Sequence, residues 1–266
     1  MTDALLLERT GAVARLRLNR PAIHNAFDAD LIAALTARLS TLGGDDTVRA
    51  VVLEAAGDSF SAGADLNWMR AMAAAGEAEN RDDALALARL MRALDELPKP
   101  TIARVHGAAF GGGVGLVACC DVAIGVPEAK FGLTESRLGL LPAVISPYVI
   151  AAIGARNARR YFASAEVFDA QQALRIGLLH EVVAANALDA AVDRQIQLLL
   201  RAGPVASAQA KALVRAVVPQ GDRDALDGAT ADLIAALRGS PEGREGLAAF
   251  LDKRPPAWAP KKEADV

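Results

Sequence analysis

Phe60-Ser-Ala-Gly-Ala-Asp-Leu66 and Gly107-Ala-Ala-Phe-Gly-Gly-Gly-Val-Gly115 crowd small residues into two turns that each follow a buried strand. The first comes after a Gly57-Asp58 turn, and the second leads straight into an apolar helix. Without bulky side chains, a ligand can approach the main chain closely, and a turn entering a helix leaves N–H groups free to donate. Two such turns facing each other would form an oxyanion hole, where losing one donor costs about 3–4 kcal/mol in the transition state. A dinucleotide fingerprint is a poor fit, because no Gly-x-Gly-x-x-Gly spacing is followed by a ribose-binding acid. There is no Walker lysine. The remaining alternative is that these glycines only permit tight helix packing.

Outward from these turns, strands alternate with helices. Val13–Leu18 alternates apolar and polar positions, Arg49–Leu53 is a compact apolar run, and Thr101–Val105 and Asp121–Val126 read the same way. Asp28 is placed to cap an amphipathic helix through Leu39, and Asp82–Leu97 is helical until Pro98 and Pro100. Ala71–Arg81 reads as a mobile, low-complexity surface excursion. Beyond Ala184 only helices are expected, at Asn186–Arg201, Pro204–Val218 and from Ser240, with a frayed end from Arg254. The pattern is an α/β domain followed by an all-helical tail.

Composition narrows the class. About half of the 266 residues are apolar and a quarter charged, the net charge is −3, and no basic stripe suggests nucleic acid. The two cysteines, Cys119 and Cys120, are adjacent and unsuited to a disulfide; no metal site is expected, and a cytoplasmic setting fits. Leu138–Ala155 carries no charge but is broken by prolines, so a buried loop entering a buried helix is expected, not a membrane span.

Asn19-Arg-Pro21, Asn25-Ala26, the two glycine turns, Asp121, Phe131-Gly132, Glu135, Gly139 with Pro142, and Ala249-Phe250 with Lys253-Arg254 together resemble the enoyl-CoA hydratase/isomerase (crotonase) family. The likeness runs from about Leu5 to Trp258. It implies a crotonase-like spiral of ββα units, residues 1–200, holding the CoA and acyl site. Residues 201–266 would form a C-terminal helical region that builds a homotrimer or a dimer of trimers. It also implies oxyanion donors at the N–H groups of Ala64 and Gly112, with Glu135 as the acid–base residue. His24, Ala26, Ala62, Gly63, Asp65, Leu66, Gly111, Gly115 and Leu133 would line the acyl-CoA site. Lys253 either reaches a neighbouring subunit's CoA phosphates or is a surface charge. No cofactor is implied beyond the CoA carried by the substrate.

Family hydratases use two glutamates, and the second position falls on Gly115, which has no side chain. Glu135 could instead be a capping or salt-bridged residue near Arg137. Leu116–Asp121, Leu141–Tyr148 and Ala158–Phe162 resemble a subgroup of methylglutaconyl-CoA and branched glutaconyl-CoA hydratases, which also lack that glutamate. A hydratase of this type is the first expectation, with an orienting role for Glu135 or a water chain in the space at Gly115. A one-carboxylate enoyl-CoA isomerase is the second, and a non-catalytic acyl-CoA-binding relative the third. A distal carboxylate would need a cation, with Arg137, Lys130 and Arg70 as candidates. His106, His180, Asp65, Cys119 and Cys120 are read as structural; Trp68 and Tyr148 either line the acyl pocket or pack.

Overall fold

The computed structural model describes residues 4–217 and 240–259. The chain opens with a hairpin, β1 (Leu5–Thr10) and β2 (Val13–Leu18), paired antiparallel in register. Helix α1 (Ala29–Gly43) starts where Asp28 accepts the Leu31 N–H, and buries Leu31, Ile32, Leu35, Leu39 and Leu42 along one stripe. It runs one turn past the Leu39 expected from periodicity.

Then a unit repeats. Strand β3 (Ala50–Ala55) is followed by short β4 (Ser59–Ser61), then α2 (Leu66–Ala74) and α3 (Glu77–Asp95). Strand β5 (Thr101–Val105) is followed by β6 (Ala108–Phe110) and α4 (Gly112–Cys119). Strand β7 (Val122–Gly125) is followed by β8 (Lys130–Gly132) and α5 (Ser146–Ser164). The first strand of each unit enters a six-stranded sheet ordered β1-β2-β3-β5-β7 and edged by Glu181–Val182, parallel beyond the hairpin. The second enters a four-stranded sheet ordered β4-β6-β8 and edged by Val167–Asp169. Each ββα unit therefore spans both sheets, and successive units stack as turns of a spiral. β9 (Val167–Asp169), α6 (Ala170–Ile176), β10 (Glu181–Val182), α7 (Leu188–Arg201) and α8 (Pro204–Val217) complete the order. The helix Pro241–Leu251 follows, its first turn capped by Ser240 Oγ, which accepts the Gly243 N–H.

Two expectations are corrected. Ala71–Arg81 is not an excursion but the end of α2 and the start of α3. Asn80 Nδ2 donates to the carbonyls of Met72, Ala75 and Gly76, fastening the two helices at their junction. Leu138–Ala155 does not begin as a buried loop, since Leu138, Leu140 and Leu141 are 63%, 59% and 71% exposed. Among the described residues no helix is long and apolar enough to cross a membrane. Of the 201–266 region only residues 201–217 and 240–259 are described, so Val218 and most of the terminal Pro/Lys/Glu stretch lie outside.

The loop after β2 is held by Asn25. This residue is fully buried in the left-handed region, a conformation asparagine tolerates better than most. Its Nδ2 donates to Ala56 O and Ser59 O, both at 2.8 Å, while Oδ1 accepts the Arg20 N–H. Asn25 is thus scaffold and does not face a ligand. Asn25→Ala leaves those partners unsatisfied, and a loss of about 3 kcal/mol is expected. Urea unfolding of the variant checks this, and an unchanged midpoint would contradict the anchoring role.

Candidate active site

The Asn25 anchor sets up the first glycine turn. Ser61 Oγ donates to Asn25 O, and Gly63 N–H reaches Ser61 Oγ at 3.3 Å. Phe27 N–H donates to Gly63 O and Asp65 N–H to Phe27 O, both at 2.7 Å. Phe27 thereby pairs with the residues on either side of Ala64. In such a parallel bridge the N–H of Ala64 itself points away from Phe27. Asp65 then caps α2, accepting the N–H groups of Asn67 and Trp68.

The second turn meets the first. Gly111 takes φ 48°, ψ −118°, a conformation that favours glycine, and its own N–H is tied to Gly132 O. Gly112 opens α4, in the turn whose N–H groups lack intrahelical acceptors. A Cβ on Gly63 would stand 3.0 Å from Phe110 O and 3.8 Å from the Gly111 Cα, so the two turns touch. A Cβ on Gly111 would stand 3.1 Å from Glu135 Oε1. The two turns and the carboxyl therefore share one spot.

That spot opens on a cleft of about 1050 Å³. Its lining includes His24, Ala26, Ala62, Gly63, Ala64, Asp65, Leu66, Gly111, Gly112 and Glu135. His24 Nδ1 lies 3.1 Å from Ser59 Oγ. Glu135 carries no ion pair with Arg137, whose Nη2 donates to Ala165 O instead. Oε2 of Glu135 is buried and finds no hydrogen-bond donor among the described residues. Burial raises its pKa above the ordinary carboxylate value, and hydrogen bonding with its own backbone only partly opposes this. A carboxyl whose proton is held more tightly than usual is a candidate for proton transfer.

Gly115, Leu133 and Lys253 do not line the cleft. Leu133 is fully buried in the core, and Lys253 is exposed on the turn after the helix Pro241–Leu251. Gly115 lies beneath the cleft wall, where a Cβ would come within 2.4 Å of Ile145 Cγ2 and 3.3 Å of Met91 Cε. The space at Gly115 is filled by apolar side chains, so a water chain there is ruled out. Two other glycines have packing reasons of their own: a Cβ on Gly107 would stand 2.1 Å from Asp58 O, and one on Gly113 would stand 2.8 Å from Ser61 O. Packing and ligand access therefore divide the glycines between them.

Of the three cations considered, only Arg70 lines the cleft; Lys130 and Arg137 do not. Trp68 lines it and Tyr148 does not. His106 Nε2 pairs with Gly57 O and His180 Nδ1 with Ala123 N–H, consistent with structural roles. Both cysteines are buried free thiols, and burial pushes Cys120 up to about 12. Sequence reasoning misses Asp83, Ala84 and Leu87 of α3, which form part of the wall. The available signal is an acid in helical register with Leu87 and Met91, on the face that turns inward.

A family model described as enoyl-CoA hydratase/isomerase matches residues 8–261, and the chain belongs to that family. It is an enzyme of the enoyl-CoA hydratase type with the crotonase-like fold. A solved enoyl-CoA hydratase from Shewanella pealeana is 45% identical, with a TM-score of 0.93 over 96% of each chain. The crotonyl-CoA hydratase of Syntrophomonas wolfei is 31% identical over 95% of this chain and 96% of its own. The 2,3-dehydroadipyl-CoA hydratase of Escherichia coli is 33% identical over 95% and 97%.

Restoring a glutamate at Gly115 is expected to harm the protein. Gly115→Glu overpacks Ile145 and buries an unpaired carboxylate, which should cost about 3 kcal/mol or more. Thermal melting checks this; a variant as stable as the parent would mean the wall yields easily.

Proposed function

We propose that this enzyme adds water across the α,β double bond of an acyl-CoA thioester using a single carboxylate. The observation that carries the reading is the half-buried Glu135, whose inner Oε2 has no donor among the described residues, beside two touching glycine turns. The thioester oxygen sits between the N–H groups of Ala64 and Gly112, which stabilise the negative charge that develops as the β-carbon is attacked. Glu135 takes a proton from water as its hydroxyl bonds to the β-carbon. The resulting enolate then receives that same proton from Glu135 at the α-carbon. Atoms balance as one water added, and no step needs a metal or redox cofactor.

For the acyl group we favour a branched glutaconyl-type chain such as methylglutaconyl-CoA. Arg70 on the cleft wall supports this as the partner of a distal carboxylate. The 2,3-dehydroadipyl-CoA hydratase among the relatives points to the same kind of diacid-derived substrate. A Δ3,Δ2-enoyl-CoA isomerase is the second reading, because Ile145 and Met91 leave no room for a second acid at Gly115. One group removing and returning a proton is all that reaction needs.

The assembly we favour is a homotrimer or dimer of trimers built through residues 201–266. Supporting it, α8 exposes Val205 and Val214 while burying none of its residues, and the helix Pro241–Leu251 exposes Leu247 and Leu251. The free thiols fit a cytoplasmic enzyme.

Assay with 3-methylglutaconyl-CoA, crotonyl-CoA and a 3-enoyl-CoA separates hydratase, isomerase and inert binder. Glu135→Gln is expected to lower kcat by about 10²–10⁴; near-normal turnover would remove the proposal. The same change should stabilise the fold at higher pH. A carboxyl whose folded pKa is raised costs stability as pH climbs from its unfolded value through its folded one. Melting curves should therefore show Glu135→Gln gaining on the parent as pH rises above the ordinary carboxylate range, with little difference in acid.

A further inference from the structure

Beyond the reacting centre, one wall of the cleft comes from α2 and α3. Helix α2 begins immediately after the Ala64 donor and its capping Asp65, and Trp68 lies in its first turn. Trp68 Nε1 donates to Asp83 Oδ1 at 2.9 Å, and both residues line the cleft. Leu87, one turn along α3 from Asp83, continues the same wall. The stretch Leu138–Ile145 supplies further apolar lining. The indole is thus the largest flat group in this wall, and the hydrogen bond to Asp83 restrains it. The helix carrying it is further held by Asp65 at its start and Asn80 at its end.

The geometry points to Trp68, locked in place by Asp83, as the gauge that sets the length and bulk of acyl chain the cleft accepts. This rests on the acyl-CoA reading of the site and deepens it by naming the residue that limits the acyl chain. Asp83 is a positioning residue: it acts through Trp68, as a hydrogen-bond acceptor whose charge is not required. A rigid ring discriminates sharply because a single misfitted methylene in an apolar pocket is worth about tenfold or more.

The test uses the full-length protein, with saturated butyryl-, octanoyl- and dodecanoyl-CoA titrated by calorimetry. Hydration of the matching 2-enoyl-CoAs is measured in parallel. Trp68→Ala is expected to raise long-chain over short-chain affinity by about tenfold or more, with the shift in hydration appearing mainly in KM. Asp83→Leu and Trp68→Phe, which each break the lock, should move the ratio in the same direction by less. Asp83→Asn keeps an oxygen acceptor for Nε1 and should restore the parental ratio. An unchanged ratio in Trp68→Ala overturns the gauge. Asp83→Asn shifting as far as Asp83→Leu overturns the lock, since charge would then be what matters. If the unaltered protein hydrates no enoyl-CoA, the hydratase reading falls while the calorimetric series still decides the gauge.

Discussion

The close approach of two main-chain turns, at Gly63 and Gly111, is the constraint on which the rest of this structure depends. Neither turn could carry a larger side chain at the point where they meet. Gly63 lies against the Phe110 carbonyl, and Gly111 lies between Gly63 and the Glu135 carboxyl. Holding them there requires Phe27 to pair on both sides of Ala64, and Asn25 to tie its loop to Ala56 and Ser59. The hydrogen bonds needed to place the site are therefore internal to the scaffold. The N–H of Ala64 takes no part in that pairing.

The carboxyl of Glu135 illustrates how burial makes chemistry. An acid with one oxygen buried and unpaired is disfavoured as an anion, and its proton is held more tightly than in water. The neighbouring Arg137 does not undo this, since it is engaged with Ala165 O. The surroundings of Gly115 are apolar, and there Ile145 and Met91 exclude both a second acid and water. Packing therefore leaves no room for a side chain at Gly115.

How much of this is legible in the sequence depends on the range of the forces involved. The strand Thr101–Val105 has the limits read from its apolar run, and α1 starts at the Asp28 cap, because both signals are local. Helix α2 is not legible. An Ala- and Gly-rich stretch resembles a linker, and its helix is secured by Asn80 and by the Trp68–Asp83 contact, which bring in residues of α3. The Leu138–Leu141 loop misleads for a related reason: apolar side chains there border the cleft and solvent, not a core.

Sequence alone determined the two glycine turns and made Glu135 a candidate acid, because backbone freedom and short motifs are properties of neighbouring residues. Tertiary structure decided which side chains face the cleft. Arg70 does while Lys130 and Arg137 do not, Asn25 turns inward to the scaffold, and Gly115 and Leu133 lie beneath the wall. Side-chain direction is set by contacts between elements far apart along the chain, such as Ile145 and Met91 closing over Gly115, and no local pattern encodes them.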